Sequence, residues 1–220
     1  MARNIGFFPR LEVDGDQILN LELVSRGKSS HMFSPDDRPH VYVGRYQDKP
    51  IIIKPYQSPM EKAIIQVVSA LPLSLVLDYN IGFLMERVAE VDSVEEQLRK
   101  RELSAKDLGD MVGIFLGRLH LQGISYNDHL SDHVFSYPDR TLKATDFGAS
   151  DFQPNARVVD ISEGFEYLQK VVKPSQLIDA IETFKAAYTR IADARFWQEG
   201  VDRHLNHATK NDQARKILIQ

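Results

Sequence analysis

The chain contains no cysteine, which removes disulfide staples, thiolate metal sites and thiol nucleophiles together. Any chemistry must come from carboxylates, lysines, histidines or hydroxyls, and a reducing compartment suits such a chain. Long apolar runs are missing too. No uninterrupted stretch approaches the roughly 20 residues that a membrane-spanning helix needs, and Met1 to Arg10 lacks the basic segment and apolar run of a secretory signal. A cytoplasmic protein is expected, with secretion as an effector the alternative. Neither sign of charge dominates: 27 Lys and Arg against 31 Asp and Glu leave a formal net charge of −4. That balance gives no overall attraction to nucleic acid or to an anionic membrane, so no nucleic-acid partner is expected. The one local basic run, Arg99-Lys100-Arg101, reads as a solvated helix face. There is no internal repeat and no low-complexity segment.

What is present suffices for a sizeable core. With 43% hydrophobic and 26% charged residues, the chain reads as one compact domain or two closely apposed lobes. The first eighty-odd residues read as strands with one helix. Arg10 to Val13 and Ile18 to Val24 flank Asp14-Gly15, a hairpin signal. Val41 to Tyr46 and Ile51 to Lys54 flank the turn-forming Gln47-Asp48-Lys49-Pro50. Ser58-Pro59 opens a helix to about Ala70, serine as N-cap and proline at the first helical position. The apolar runs Leu73 to Leu77 and Ile81 to Met85 follow, joined by Asp78-Tyr79-Asn80.

From Asp92 the apolar period becomes helical. Ser93 to Glu96 is a capping box, and Ser104 with Asp107 begins a longer helix whose apolar face includes Leu108, Met111, Phe115 and Leu119. Val134 to Ser136 and Thr141 to Ala144 form a second strand patch. Ser162 to Val171 and Ser175 to Ala194 read as helices, and the tail after Trp197 is polar. Phe152, Phe165, Phe184 and Trp197 are expected in the core, and His204 and His207 on the surface.

The chemistry concentrates in two segments. Thr145-Asp146-Phe147-Gly148 ends a strand on an aspartate followed by an aromatic residue and glycine, which presents a carboxylate at the mouth of a cleft. Leu119 to Asp128 (Leu-His-Leu-Gln-Gly-Ile-Ser-Tyr-Asn-Asp) precedes it, with Asp128 and Asp146 separated by 18 positions. At these residues the chain resembles the protein kinase-like superfamily, whose catalytic loop reads L-H-x-x-G-I-x-H-x-D ahead of a strand pair and D-F-G. Upstream, Val41 to Tyr46 and Lys49 to Lys54 resemble that family's paired strands ending in a lysine, and Leu84-Met85-Glu86-Arg87-Val88 resembles its adenine-binding hinge. After Gly148 there is no long activation segment. Ala149 to Phe152 leads quickly to Val158-Val159-Asp160-Ile161, and in this the chain resembles the minimal atypical kinases, the RIO type and the small kinase of the KEOPS complex.

The resemblance implies an α+β, bilobal protein kinase-like fold. Residues 1–86 would be a small antiparallel-sheet lobe with one helix, and residues 87–220 the hinge and a reduced, mainly helical lobe. It implies an ATP-dependent kinase acting on a protein Ser/Thr hydroxyl, with ATP and Mg²⁺ (or Mn²⁺) as cofactors. Lys54 would hold the α- and β-phosphates, Asp146 would ligate the metal, and Asp128 would orient or deprotonate the acceptor. Gly27, Lys28, Ser29 and Ser30 would cover the phosphates, Glu61 would orient Lys54, and Glu86 and Val88 would receive adenine. Asp160 would brace the catalytic loop and His120 would buttress it, while Tyr126, standing where the family has histidine, would pack. His133 occupies the second metal position, usually asparagine, where imidazole prefers softer ions than Mg²⁺. Other readings stay open: a pseudokinase or nucleotide-gated module, an ATPase switch, or a kinase of sugars or other small molecules. Glu61 has a plain alternative as a helix-dipole carboxylate, and His133 as a loop histidine.

Overall fold

The computed structural model describes the backbone at residues 11–13, 16–26, 40–46, 49–54, 58–68, 71, 76–79, 82–86, 93–136, 139–144 and 146–207, and side chains at 58–68, 71, 93–131, 134–136, 139–144 and 146–206. Among these residues the protein is a mainly helical α+β structure.

The N-terminal strands are β1 (Leu11–Val13), β2 (Asp16–Arg26), β3 (His40–Tyr46) and β4 (Lys49–Lys54). Helix α1 (Pro59–Val68) precedes β5 (Val76–Tyr79) and β6 (Gly82–Glu86). They form one sheet in the order β1-β2-β3-β4-β6-β5, with every neighbouring pair antiparallel. Val13 lies opposite Asp16, the hairpin that Asp14-Gly15 predicts. Because β6 inserts between β4 and β5, the strand ending in Lys54 is interior, and Lys54 lies opposite Phe83. Asp78 and Tyr79, expected in a connection, belong to β5, with Tyr79 opposite Gly82. In α1, Ser58 Oγ accepts the Glu61 N–H at 3.0 Å, the N-cap expected of Ser58-Pro59.

Helix α2 (Val94–Lys100) is capped by Ser93, whose Oγ accepts the Glu96 N–H at 3.2 Å. Glu96 does not complete the expected box. Its carboxylate turns forward onto Arg99, which donates from Nε at 2.7 Å and holds that carboxyl below its usual range. Arg99, Lys100 and Arg101 are exposed, the solvated face their sequence predicts. Helix α3 (Ala105–Leu121) does start with a full capping box between Ser104 and Asp107, and Leu108, Met111, Phe115 and Leu119 are all buried.

The fit of α3 against α6 (Leu177–Ile191) depends on glycine. Gly109, Gly113 and Gly117, one per helical turn, face Ala180, Phe184 to Tyr188, and Tyr188 to Ile191 respectively, so the two helices run side by side in the same direction. A Cβ on Gly113 would stand 2.6 Å from the Phe184 carbonyl oxygen and 2.7 Å from Ala187 Cβ. Alanine would gain roughly 1 kcal/mol in helix propensity over glycine, but pushing a helix backbone aside costs about 1–3 kcal/mol or more. Gly113→Ala is therefore expected to destabilise the fold by about 1 kcal/mol or more net. Gly117→Ala meets the Ile191 side chain, its nearest atom at 3.1 Å, and the Tyr188 carbonyl oxygen at an ordinary contact distance of 3.5 Å, and is expected to be close to neutral. Urea unfolding of the two variants separates these outcomes; equal midpoints would refute the close-approach explanation.

Helix α4 (Leu130–His133), a single turn absent from the sequence reading, leads into β7 (Val134–Ser136), which pairs antiparallel with β8 (Leu142–Ala144). Helix α5 (Arg157–Val171) starts earlier than the predicted Ser162, because Pro154 initiates a 3₁₀ turn that runs into it. A second such turn at Pro174 leads into α6, and α7 (Ala194–His207) completes the described chain. Phe165, Phe184 and Trp197 pack edge-on against one another between α5, α6 and α7, the Phe184 and Trp197 centroids 4.7 Å apart, and Tyr188 packs edge-on against Phe184 and tilted against Trp197.

Two placements differ from expectation. Phe152 is 40% exposed, since the chain bends outward there after its bridge to Ser125. His204 is buried, with Nδ1 3.3 Å from Ser162 Oγ. Trp197, Val201 and His204 recur at helical spacing and form the inward stripe of α7, a signal that outweighs the polar composition of the segment. The side chain of His207 lies outside the described residues.

Candidate functional site

The site begins where α3 ends. Gly123 takes φ +81°, its N–H donates to the His120 carbonyl, and the Ile124 N–H donates back to Leu119. Those two bonds are a Schellman motif, which needs a residue without Cβ strain at Gly123. The motif turns the chain into a loop, 124–129, that carries Asp128.

The loop is held by hydrogen bonds to segments distant in sequence. Ser125 bridges Asp151 in both directions, at 2.8 and 3.1 Å, and its hydroxyl donates to the Gln153 carbonyl at 2.8 Å. The Ser150 hydroxyl donates to the Tyr126 carbonyl at 2.9 Å. Asp160, 1% exposed in the first turn of α5, accepts the Tyr126 N–H on Oδ2 at 2.6 Å and the Asn127 N–H on Oδ1 at 2.8 Å. Asp160 therefore braces the loop, as the resemblance implies. His120 buttresses it through the same carboxylate, with Nε2 2.9 Å from Asp160 Oδ2, and its Nδ1 is 2.7 Å from the Tyr188 hydroxyl.

Held this way, Asn127 adopts φ +58°, a left-handed conformation that asparagine tolerates better than most residues. Asp128 follows it, half-buried, its Oδ1 accepting the His129 N–H at 2.8 Å. The exposed His129 ring contacts Glu163 of α5 at 3.0 Å.

Asp146 stands at the end of the β7–β8 hairpin, half-buried, with Oδ1 accepting the Gly148 N–H at 2.9 Å. Between it and that glycine, Phe147 is buried and packs edge-on against Tyr126, centroids 5.8 Å apart. Tyr126 in turn packs edge-on against Phe115 of α3. Tyr126 is fully buried, so it packs as expected. This ring contact and the Ser150 bond lace the segment carrying Asp128 to the segment carrying Asp146.

Glu61 is 1% exposed. A glutamate placed only to suit the helix dipole would keep its carboxylate in water, so burial argues for a specific role. A charge so deep requires a close polar or cationic partner. The Lys54 and Glu86 backbones lie in the interior strands β4 and β6, and their side chains lie outside the described residues, as does that of His133 at the end of α4. Gly27, Lys28, Ser29, Ser30 and Val88 lie outside them entirely. Among the described residues no three His, Cys, Asp or Glu side chains converge on a metal position, and no helix is long and apolar enough to cross a membrane.

Sequence reading missed Tyr188, Ser125 and Ser150. The two serines sit beside motif residues, but their hydroxyls bond to backbone 28 and 24 positions away. Tyr188 is 68 positions from His120 and carries no local signal. Compared with known proteins, the chain matches no family model and no curated sequence.

Proposed function

We propose that the protein is an ATP-dependent phosphotransferase, acting on a protein Ser/Thr hydroxyl, in a bilobal kinase-like arrangement of a sheet lobe (1–86) and a helical lobe (87–220). The observation that carries the reading is the bracing of Tyr126 and Asn127 by Asp160. A buried carboxylate spent on two backbone N–H groups fixes the residue that follows them, Asp128, in a loop laced to that of Asp146. Such fixing suits a reaction in which positioning and charge neutralisation do most of the work.

In this reading Asp128 orients the acceptor hydroxyl and takes its proton as the oxygen bonds to the γ-phosphorus. The bond from that phosphorus to the bridging oxygen breaks, and ADP leaves with the electron pair. Asp146 would hold Mg²⁺ through its hard carboxylate oxygens. When bound, that ion supplies neutralisation of the phosphate charge. Lys54 would steady the α- and β-phosphates with Glu61 as its partner. Gly27 to Ser30 would cover the phosphates, and Glu86 and Val88 would meet adenine. His133 would donate a hydrogen bond to phosphate more readily than ligate Mg²⁺.

Incubation with γ-labelled ATP and a mixed protein acceptor tests the reading, with wild type beside Asp128→Ala and Asp146→Ala. Transfer by wild type and its loss in both variants is expected. Nucleotide-dependent stabilisation without transfer would point instead to a nucleotide-binding module, and label on a sugar but never on protein to a small-molecule kinase.

A further inference from the structure

The hydrogen bonds around His120 continue past it. Tyr188, on α6, is fully buried, and its hydroxyl lies 2.7 Å from His120 Nδ1. The other imidazole nitrogen lies 2.9 Å from Asp160 Oδ2, an oxygen that already accepts the Tyr126 N–H. A carboxylate accepts, so His120 Nε2 carries a hydrogen and donates to it. The Tyr188 hydroxyl has no other hydrogen-bond partner among the described residues, so its proton goes to Nδ1. Burial and the nearby Asp160 charge raise the pKa of the phenol and keep that proton in place. Each polar atom of this relay is then satisfied by one arrangement: Tyr188 O–H donates to Nδ1, Nε2–H donates to Oδ2, and the carboxylate accepts the amides of Tyr126 and Asn127. The rings are held as firmly as the bonds, since Tyr188 packs edge-on against His120 and Phe184 and is tilted against Trp197.

We propose that Tyr188 is a positioning residue: through His120 and Asp160 it sets the tautomer and orientation that hold the backbone ahead of Asp128, and so couples helix α6 to the candidate catalytic loop. Its importance for catalysis rests on the phosphotransferase reading. Its control of the loop backbone does not. The fit of α6 against the glycines of α3 gives the coupling a rigid base, because α3 delivers His120 and α6 delivers Tyr188.

Tyr188→Phe removes the hydroxyl alone and keeps the ring. Amide hydrogen exchange of the full chain is the primary test, with Ser104→Ala as a control that weakens the fold at a remote helix cap. In Tyr188→Phe, exchange at the Tyr126 and Asn127 amides is expected to accelerate roughly tenfold beyond any global change, as loss of one buried hydrogen bond would allow. In Ser104→Ala those amides should follow global stability only. Nitrogen-15 spectra should show His120 leaving its single Nε2–H form in Tyr188→Phe. If wild type transfers phosphate, the variant should lose kcat by about the same factor with KM for ATP unchanged. Unchanged exchange at both amides, or equal acceleration in the control, overturns the proposal. A wild type that never transfers label overturns the phosphotransferase reading and leaves the exchange result to decide on Tyr188.

Discussion

Asp160→Ala is expected to lower the stability of the protein by about 3–5 kcal/mol, the usual cost of removing one partner from a buried charged network. Its carboxylate is 1% exposed and receives the Tyr126 and Asn127 amides and His120 Nε2 within 2.9 Å. Alanine would strand the buried Tyr126 and His120 donors away from water and leave the part-buried Asn127 N–H without its acceptor, and each stranded donor costs about 1–3 kcal/mol. The chain cannot relax cheaply. Tyr126 is pinned between Phe115 and Phe147, and Asn127 is already in a left-handed conformation. Against a total stability of about 5–15 kcal/mol for a typical domain, this is a large fraction. Asp160→Asn should recover part of the loss, since it keeps one acceptor but turns an NH₂ toward N–H donors. Urea unfolding monitored by Trp197 fluorescence measures both. A change below about 1 kcal/mol in Asp160→Ala would mean the loop is held by other contacts.

The second large effect is on transfer itself. Asp128→Ala and Asp146→Ala are each expected to bring label transfer to background: removal of a general base alone typically costs 10²–10⁴-fold, and loss of a metal-ligating carboxylate acts on the same step. The double variant should be little worse than either single one, because groups acting as a unit are non-additive. Thermal shift separates their roles. A nucleotide at about 100 times its dissociation constant adds about 2.7 kcal/mol of stability to the folded state. Asp128→Ala should keep that increment, whereas Asp146→Ala should lose the part that depends on Mg²⁺. Both carboxylates are half-buried, and urea unfolding of each variant separates loss of transfer from loss of fold. Wild-type transfer in both variants would remove the two aspartates from the mechanism.

The β7–β8 hairpin, the Ser58 and Ser104 caps and the apolar face of α3 were legible because each is a local matter. Turn residues, cap hydroxyls and helical spacing act within a few positions, and their signals survive whatever packs against them. The bracing role of Asp160 was legible only through resemblance, since its partners Tyr126 and Asn127 lie 34 and 33 positions away. Phe152 and His204 were misplaced because residue type was set above position. One ring lies where the chain bends outward, and the other lies on the inward stripe of an otherwise polar helix. The glycines of α3 had no reading at all, because glycine every fourth residue weakens a helix unless another helix comes close.

By itself the sequence determined the residues available for chemistry. Without cysteine and with Asp128 and Asp146 in fixed register, carboxylates set the functional question. Which of those residues are held, and by what, was decided only in three dimensions. Long-range bonds from Asp160, Ser150 and Asp151, and the Tyr188 hydroxyl reaching His120, depend on how α3, α5 and α6 pack. Hydrogen bonds of this kind form when packing brings distant groups within about 3 Å in the absence of water, a condition no local pattern of residues encodes.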